Sequence, residues 1–252
     1  MSGHPLADHS RRGFMRIAGS GLAVAAIALP NAAALAQTGG APLKVGFIGA
    51  GREGSALGAL FVKAGHPVMF SSRNPDNLKT MAAGLGPLAQ VGTVDQAVAF
   101  GDVIVLAIPY TAMEQIGRTH AAALSKKALV MDVSNPIPRR DGEGFVKSVN
   151  EQGGAGLVTA KWIPGAPLVR AFNAIGYSRL PDIAHRPGNP VGVPIAGDDP
   201  KAIAVAEQLI RQIGFEPVLV GGLAMGKHLV PGTPLAGERS AAEIKQIAGG
   251  LK

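Results

Sequence analysis

The chain has 252 residues, long enough to bury one sizeable α/β core or two small ones. Apolar residues make up 47%, charged residues only 16%, and 35 glycines with 19 prolines are scattered between apolar runs, which excludes a disordered or heptad-repeat chain. The formal charge of +7 comes without a Lys/Arg block interleaved with aromatics, so a nucleic-acid partner is not expected; the absence of cysteine excludes disulfides and thiolate-held metals.

The first residues read as charged, then apolar, then small. Ser10-Arg11-Arg12-Gly13-Phe14-Met15 resembles a twin-arginine export signal, Ile17 to Leu29 is too short to span a bilayer comfortably, and Ala34-Leu35-Ala36 supplies an A-x-A cleavage site. Residues 1–36 are therefore expected to be a signal peptide read by the twin-arginine translocase, residues 37–42 a linker, and residues 43–252 a single domain delivered folded to the periplasm. Without a working signal the protein stays in the cytoplasm. Replacing Arg11 and Arg12 by Lys should strand it there, and undiminished periplasmic protein on fractionation would refute this routing.

A continuous apolar run, Leu43 to Ile48, predicts a buried parallel strand. Gly49-Ala50-Gly51-Arg52-Glu53-Gly54 follows at once, Ser55 to Ala64 continues as a helix closed by Gly65, and Pro67 to Phe70 forms the next strand. A GxGxxG alone is a weak signal in so glycine-rich a chain. Between strand and helix, inside a βαβ unit of about thirty residues, it is a strong one for a dinucleotide diphosphate. Gly49 permits the tight turn, Gly51 lets backbone approach the pyrophosphate, Gly54 lets helix and strand pack, and the helix N–H groups hold the phosphates.

The second strand ends in Ser71-Ser72-Arg73, where an Asp or Glu would accept hydrogen bonds from a free ribose 2′-OH. Two hydroxyls and a guanidinium donate instead, which points to a 2′-phosphate and hence NADP(H) rather than NAD(H). Asp76 is the rival acceptor, but with Pro75 before it and a helix-like stretch after it, it reads as a helix-start residue.

Further strands are expected near Ala89–Val91, at Val103 to Ile108, at Leu129 to Val133, within PLVRAFNAIG and VGVPIAGDD, and in FEPVLVGGL; Pro200 to Ile213 has helical spacing. Strand and helix alternate almost throughout, which predicts an α/β fold of the Rossmann type, a doubly wound, mostly parallel sheet in a single domain. Ligands of such sheets gather beyond the strand carboxyl ends, where Ile108-Pro109-Tyr110, Ser134-Asn135-Pro136 and Asn173 occur. Asn135 and Asn173 read equally well as loop residues satisfying backbone. No acid/base dyad stands out, and His66, His120, His185 and His228 lack metal-ligand spacing, so catalytic residues remain unassigned and no metal is expected.

The stretches KVGFIGAGREGSALG, SSRNPDNL, GDVIVLAIPY, MDVSNPI, VRAFNAIG, IAGDD and IGFEPVLVG, in this order, resemble the NADPH-dependent F(420) reductase family, the deazaflavin-linked NADP oxidoreductases. Pyrroline-5-carboxylate reductases share a similar N-terminal module but append a long helical domain, whereas this chain returns to strand, helix and strand. The resemblance implies direct hydride transfer between nicotinamide and a deazaflavin, with alignment mattering more than a protein acid or base. It also implies Gly49, Gly51 and Gly54 at the pyrophosphate, Ser72 and Arg73 at the 2′-phosphate, and Pro109, Asn135 and Asn173 around the nicotinamide. The acceptor is left open among a deazaflavin, a flavin, a quinone-like molecule and a ferric chelate. A binding module without turnover and a reductase of small imines or carbonyls are the competing readings; a homodimer is left open.

Overall fold

The computed structural model describes residues 41–251, so the export signal and its cleavage site lie outside the described residues. The strands are β1 (Val45–Ile48), β2 (Val68–Ser71), β3 (Ala89–Gly92), β4 (Val103–Leu106), β5 (Leu129–Asp132), β6 (Leu168–Arg170), β7 (Gly192–Gly197) and β8 (Glu216–Gly221). They form one eight-stranded sheet in the order β3-β2-β1-β4-β5-β6-β7-β8. Strand order reverses between β1 and β4, which opens a crevice at their carboxyl ends.

The connecting helices are α1 (Arg52–Lys63), α2 (Lys79–Leu85), α3 (Val94–Phe100), α4 (Met113–Leu124), α5 (Pro138–Asp141), α6 (Glu143–Glu151), α7 (Ala155–Trp162), α8 (Leu180–Ile183), α9 (Pro200–Gln212) and α10 (Ala241–Gly249). Strands buried on both faces need apolar residues at every position, which is why the sequence runs rather than alternates. Val103 and Val105 face Phe47, Phe61 and Phe70 in one core with Leu57 of α1 and Leu209 of α9; Ile104 and Leu106 join Met113, Leu124 and Val158 in the other. Phe47 stacks on Phe70 with centroids 5.6 Å apart. Each such fully buried side chain contributes roughly 1.5–3 kcal/mol. Side chains hold the helix starts: Thr93 and Gln96 form a capping box on α3, and Asp199 Oδ1 accepts from Lys201 N and Ala202 N on α9.

Two features add detail to the expected, mostly parallel sheet. The first is that β7 pairs antiparallel with β6, while β8 is parallel to β7. A parallel neighbour needs a crossover across a sheet face. Residues 171–191 contain only the four-residue α8, so the chain stays at the carboxyl edge of β6 and turns back down. The second is the tail, which forms α10 behind a capping box of Ser240 and Glu243. Ile244 of α10 packs with Val218, Leu229 and Leu235. Residues before α10 pass close to the end of β6, where Gly237 N donates to Ala174 O at 2.8 Å and Arg179 Nε donates to Glu238 Oε1 at 2.7 Å.

Candidate functional site

The predicted site residues all fall along one edge of the sheet, the carboxyl ends of β1, β2, β4, β5 and β6. Gly49 leaves β1 at φ +96°, and a Cβ there would lie 2.3 Å from Ala107 O, beneath the end of β4. At Gly54 a Cβ would lie 2.3 Å from Gly49 O, so strand, turn and helix α1 close on one another. At Gly51, by contrast, a Cβ would meet nothing within 4 Å. Gly49 and Gly54 are therefore required by the protein's own packing. Gly51 is bare without any internal need, as expected where a ligand's phosphates approach backbone. Its neighbour Ala50 is partly buried, and Ala50 O accepts the Ser55 hydroxyl at 3.0 Å, tying the first turn of α1 to the loop.

Arg52 stands exposed at the start of α1; its Nη1 donates to Tyr177 Oη at 3.1 Å and its guanidinium lies 5.8 Å from that ring's centre. The loop after β6 thus reaches the glycine loop. Glu53 behaves differently. Its Oε1 is buried and has no partner among the described residues, and burial pushes the carboxyl up to about 8. The folded protein therefore holds a proton that the unfolded chain releases above pH 4.5. This contribution is fully present below pH 4.5 and is lost as pH rises through about 8. Glu53→Gln should flatten the fall in melting temperature over that window, and parallel slopes for the two proteins would contradict it.

At the end of β2 the pair of serines divides. Ser71 is buried and its hydroxyl donates to Phe47 O at 2.7 Å, inside the sheet. The expectation that Ser71 serves the ligand is corrected accordingly: only Ser72 stays at the surface side, where its Oγ accepts from Asn74 N at 3.1 Å. The sequence concealed this because side chains alternate along a strand and Ser71 is the last strand residue. Arg73 is exposed and makes no ion pair among the described residues. Asp76 sits in the first turn of a 3₁₀ helix, Pro75–Leu78, beside Lys79 at 2.6 Å. The hydrogen bond from the Lys79 ammonium holds its carboxyl below the ordinary value, and its place behind Pro75 in the first turn fits a helix-start residue.

Beyond β4, Ile108 N donates to Ser134 Oγ at 3.1 Å, and exposed Pro109 caps the 3₁₀ turn Tyr110–Ala112. Tyr110 itself points away from the edge: fully buried, it donates to Ala155 O at 2.6 Å, and burial raises its phenol above the ordinary range. Asn135 Nδ2 donates to Asn173 O at 2.8 Å, and Asn173 Nδ2 donates to Asp132 O and Ser134 O, both at 3.1 Å. These asparagines do bond backbone, but across β5 and β6 instead of within their own loops. Asn173 Oδ1 is left without a partner among the described residues. Phe172, just before it, is held at φ +61°, a conformation costly for a bulky residue.

A buried group that sequence reasoning missed lies beneath these asparagines. Asp132 and Arg170, register neighbours on β5 and β6, are both fully buried and paired at 2.5 Å. Burial pushes the Asp132 carboxyl up, against the opposing pull of Arg170, Ser134 N and Thr159. A charge inside an otherwise apolar strand run, twice at facing positions, was the available signal. His66 is satisfied structurally, with Nε2 3.0 Å from Gln212 Oε1 and Nδ1 at the Leu43 backbone.

Comparison with known proteins agrees with this geometry. Residues 44–136 match the family model described as NADP oxidoreductase, coenzyme F420-dependent. The chain is 32% identical over 193 residues to Metalloreductase STEAP3 of Rattus norvegicus, which covers 74% of this chain and 35% of that protein. The chain thus spans about a third of the length of this curated relative. Among solved structures, a hypothetical protein from Sinorhizobium meliloti superposes with a TM-score of 0.64 at 25% identity, over 79% of this chain and 96% of that one. A putative F420-dependent NADP-reductase from Arthrobacter sp. FB24 superposes with a TM-score of 0.64 at 20% identity, over 73% of this chain and 87% of that one, which shows a shared fold. Residues 44–136, which carry the glycine loop and the Ser72–Arg73 corner, are the part of the chain that is similar to the NADP oxidoreductase family model.

Proposed function

We propose that this protein is an NADPH-dependent oxidoreductase that passes hydride between NADP(H) and a deazaflavin or flavin-like acceptor. The observation that carries the reading is the pairing of a bare Gly51, open on its outer side, with an exposed Arg73 at the end of the neighbouring strand. Backbone N–H groups at the start of α1 would hold the pyrophosphate; Arg73 and the Ser72 hydroxyl would hold the 2′-phosphate. The nicotinamide, when bound, supplies a hydride at its C4. The residues of the crevice then have to orient the ring and keep water away, and an acid or base within reach of the transfer is not needed. On this reading the turns that hold Asn135, Asn173 and Pro109 would set that orientation, and Tyr177 with Arg52 would lie over the pyrophosphate end.

The acceptor is the finer part of the proposal. The similarity to a protein named as a metalloreductase favours a second reading, in which electrons pass on to a ferric chelate. An acceptor screen tests both: purified protein with NADPH is offered a deazaflavin, FAD or FMN, a quinone, a small cyclic imine and ferric citrate, and the loss of reduced nicotinamide absorbance is followed. Turnover with the deazaflavin or flavin supports the first reading. Turnover with ferric citrate only in the presence of added flavin supports the second. Tight NADPH binding with no turnover on any acceptor would overturn catalysis in favour of a binding module.

A further inference from the structure

Arg170 is the largest fully buried side chain among the described residues, and the protein provides a slot for its stem. Gly156 of α7 and Gly226 close on its Cδ, where added Cβ atoms would lie at 3.2 and 2.7 Å. Its head does three things at once. Nη1 pairs with Asp132 Oδ2, while Nη2 donates to Ser134 O at 3.1 Å and to Asn135 Oδ1 at 3.3 Å. Asp132 Oδ1 accepts from Ser134 N at 2.8 Å, its Oδ2 also accepts from the Thr159 hydroxyl at 2.9 Å, and Tyr110 Oη lies 2.9 Å from Thr159 Oγ1.

Stability does not account for such a pair, because a buried ion pair replaced by apolar residues of similar volume is often no less stable. What the pair does determine is the orientation of two amides. With Asn135 Oδ1 taken by Arg170, its Nδ2 must face Asn173 O. With Asp132 O and Ser134 O offered as acceptors, Asn173 must turn its Nδ2 to them, which leaves its Oδ1 buried and without a partner among the described residues. The Ser134-Asn135 turn and the strained Phe172-Asn173 turn are thereby locked to one buried charge.

We infer that the Asp132–Arg170 pair is a positioning device for the nicotinamide half of the site, fixing the turns after β5 and β6, with Asn135 and the buried Asn173, in the one arrangement that lines the crevice for the ring. The inference rests on the reading of this crevice as an NADP(H) site. It separates the roles of the two ends: the adenine end depends on the glycine loop and Arg73, the nicotinamide end on a charge pair that touches no ligand.

The test uses two ligands, NADPH and 2′,5′-ADP, which keeps the adenine and 2′-phosphate but lacks the nicotinamide. The single variants Arg170→Met and Asp132→Leu each leave a buried charge unpaired and should lose thermal stability, and the double variant should regain it. In the double variant NADPH should bind at least ~10-fold more weakly than in the native protein, with 2′,5′-ADP changed less than about twofold. Arg170→Gln, which keeps a donor toward Asp132 but loses the fork, is the milder variant and should separate the two ligands in the same direction. Recovery of both melting temperature and NADPH affinity in the double variant, or equal loss of both ligands in Arg170→Gln, would overturn the positioning role. Failure of the native protein to bind 2′,5′-ADP or NADPH would instead overturn the nucleotide-site reading, and the inference with it.

Discussion

Gly51→Val should fold and melt within a few degrees of the native protein yet lose NADPH binding by a factor on the order of 1,000 or more. The native protein has nothing within 4 Å of the added Cβ, and Gly51 has an ordinary negative φ of −73°. The substitution therefore costs little beyond a poorer helix N-cap, about 1 kcal/mol. The space it fills is where a pyrophosphate must approach backbone. Gly54→Val serves as the contrast, because its Cβ strikes Gly49 O at 2.3 Å and should destabilise the protein by about 2–4 kcal/mol whether or not nucleotide is present. Thermal melts with and without NADPH distinguish the two. A Gly51→Val protein that binds NADPH like the native one would mean that no phosphate lies there.

The second large effect is expected at Arg73. Arg73→Glu removes a charge-assisted contact to the 2′-phosphate and puts a like charge in its place, which together should weaken NADPH by about 100-fold. NADH carries no 2′-phosphate and should lose less than about threefold; with its free 2′-OH it gains an acceptor. Because Arg73 is exposed and at a strand end, the change should leave stability intact. Ser72→Ala should act in the same direction and more weakly, by about fivefold, while Ser71→Ala should affect stability and not the choice of nucleotide, since Ser71 bonds Phe47 O. Equal loss of both nucleotides in Arg73→Glu would show that Arg73 does not read the 2′-phosphate.

Much of the fold is legible in the chain because parallel strands buried on both faces are written as unbroken apolar runs. Val103–Leu106 and Leu129–Asp132 lie within the runs that predict them, and the Gly49–Gly54 loop joins β1 to α1 as its spacing requires. The strands end earlier than the apolar runs do, because Ala107, Ile108 and Val133 belong to the turns that form the crevice edge. The reversal of β7 was readable only by noticing that no crossover helix separates Asn173 from Val191. The helices α6 and α7 escaped detection, being short and bounded by Gly142, Gly153 and Gly154, all at positive φ.

The site is less legible than the fold. Its glycines and Arg73 act through backbone shape and one exposed charge, which a sequence displays. The Asp132–Arg170 network acts through contacts between residues 38 positions apart, and only the register of β5 on β6 brings them together. Glu53 likewise looks like an ordinary first-turn acid that suits a helix N-terminus, and only burial of its Oε1 makes it a proton-holding group. Ser71 shows the same limit at shorter range, since one residue along a strand reverses which face a hydroxyl serves.

The most direct test is calorimetric titration of one preparation of the native protein with NADPH and, separately, with NADH. Saturable binding of NADPH at least ~100-fold tighter than that of NADH is the predicted result, with Arg73 as the source of the difference. Equal affinities, or no heat and no rise in melting temperature with either nucleotide, would contradict the assignment of this crevice to NADP(H).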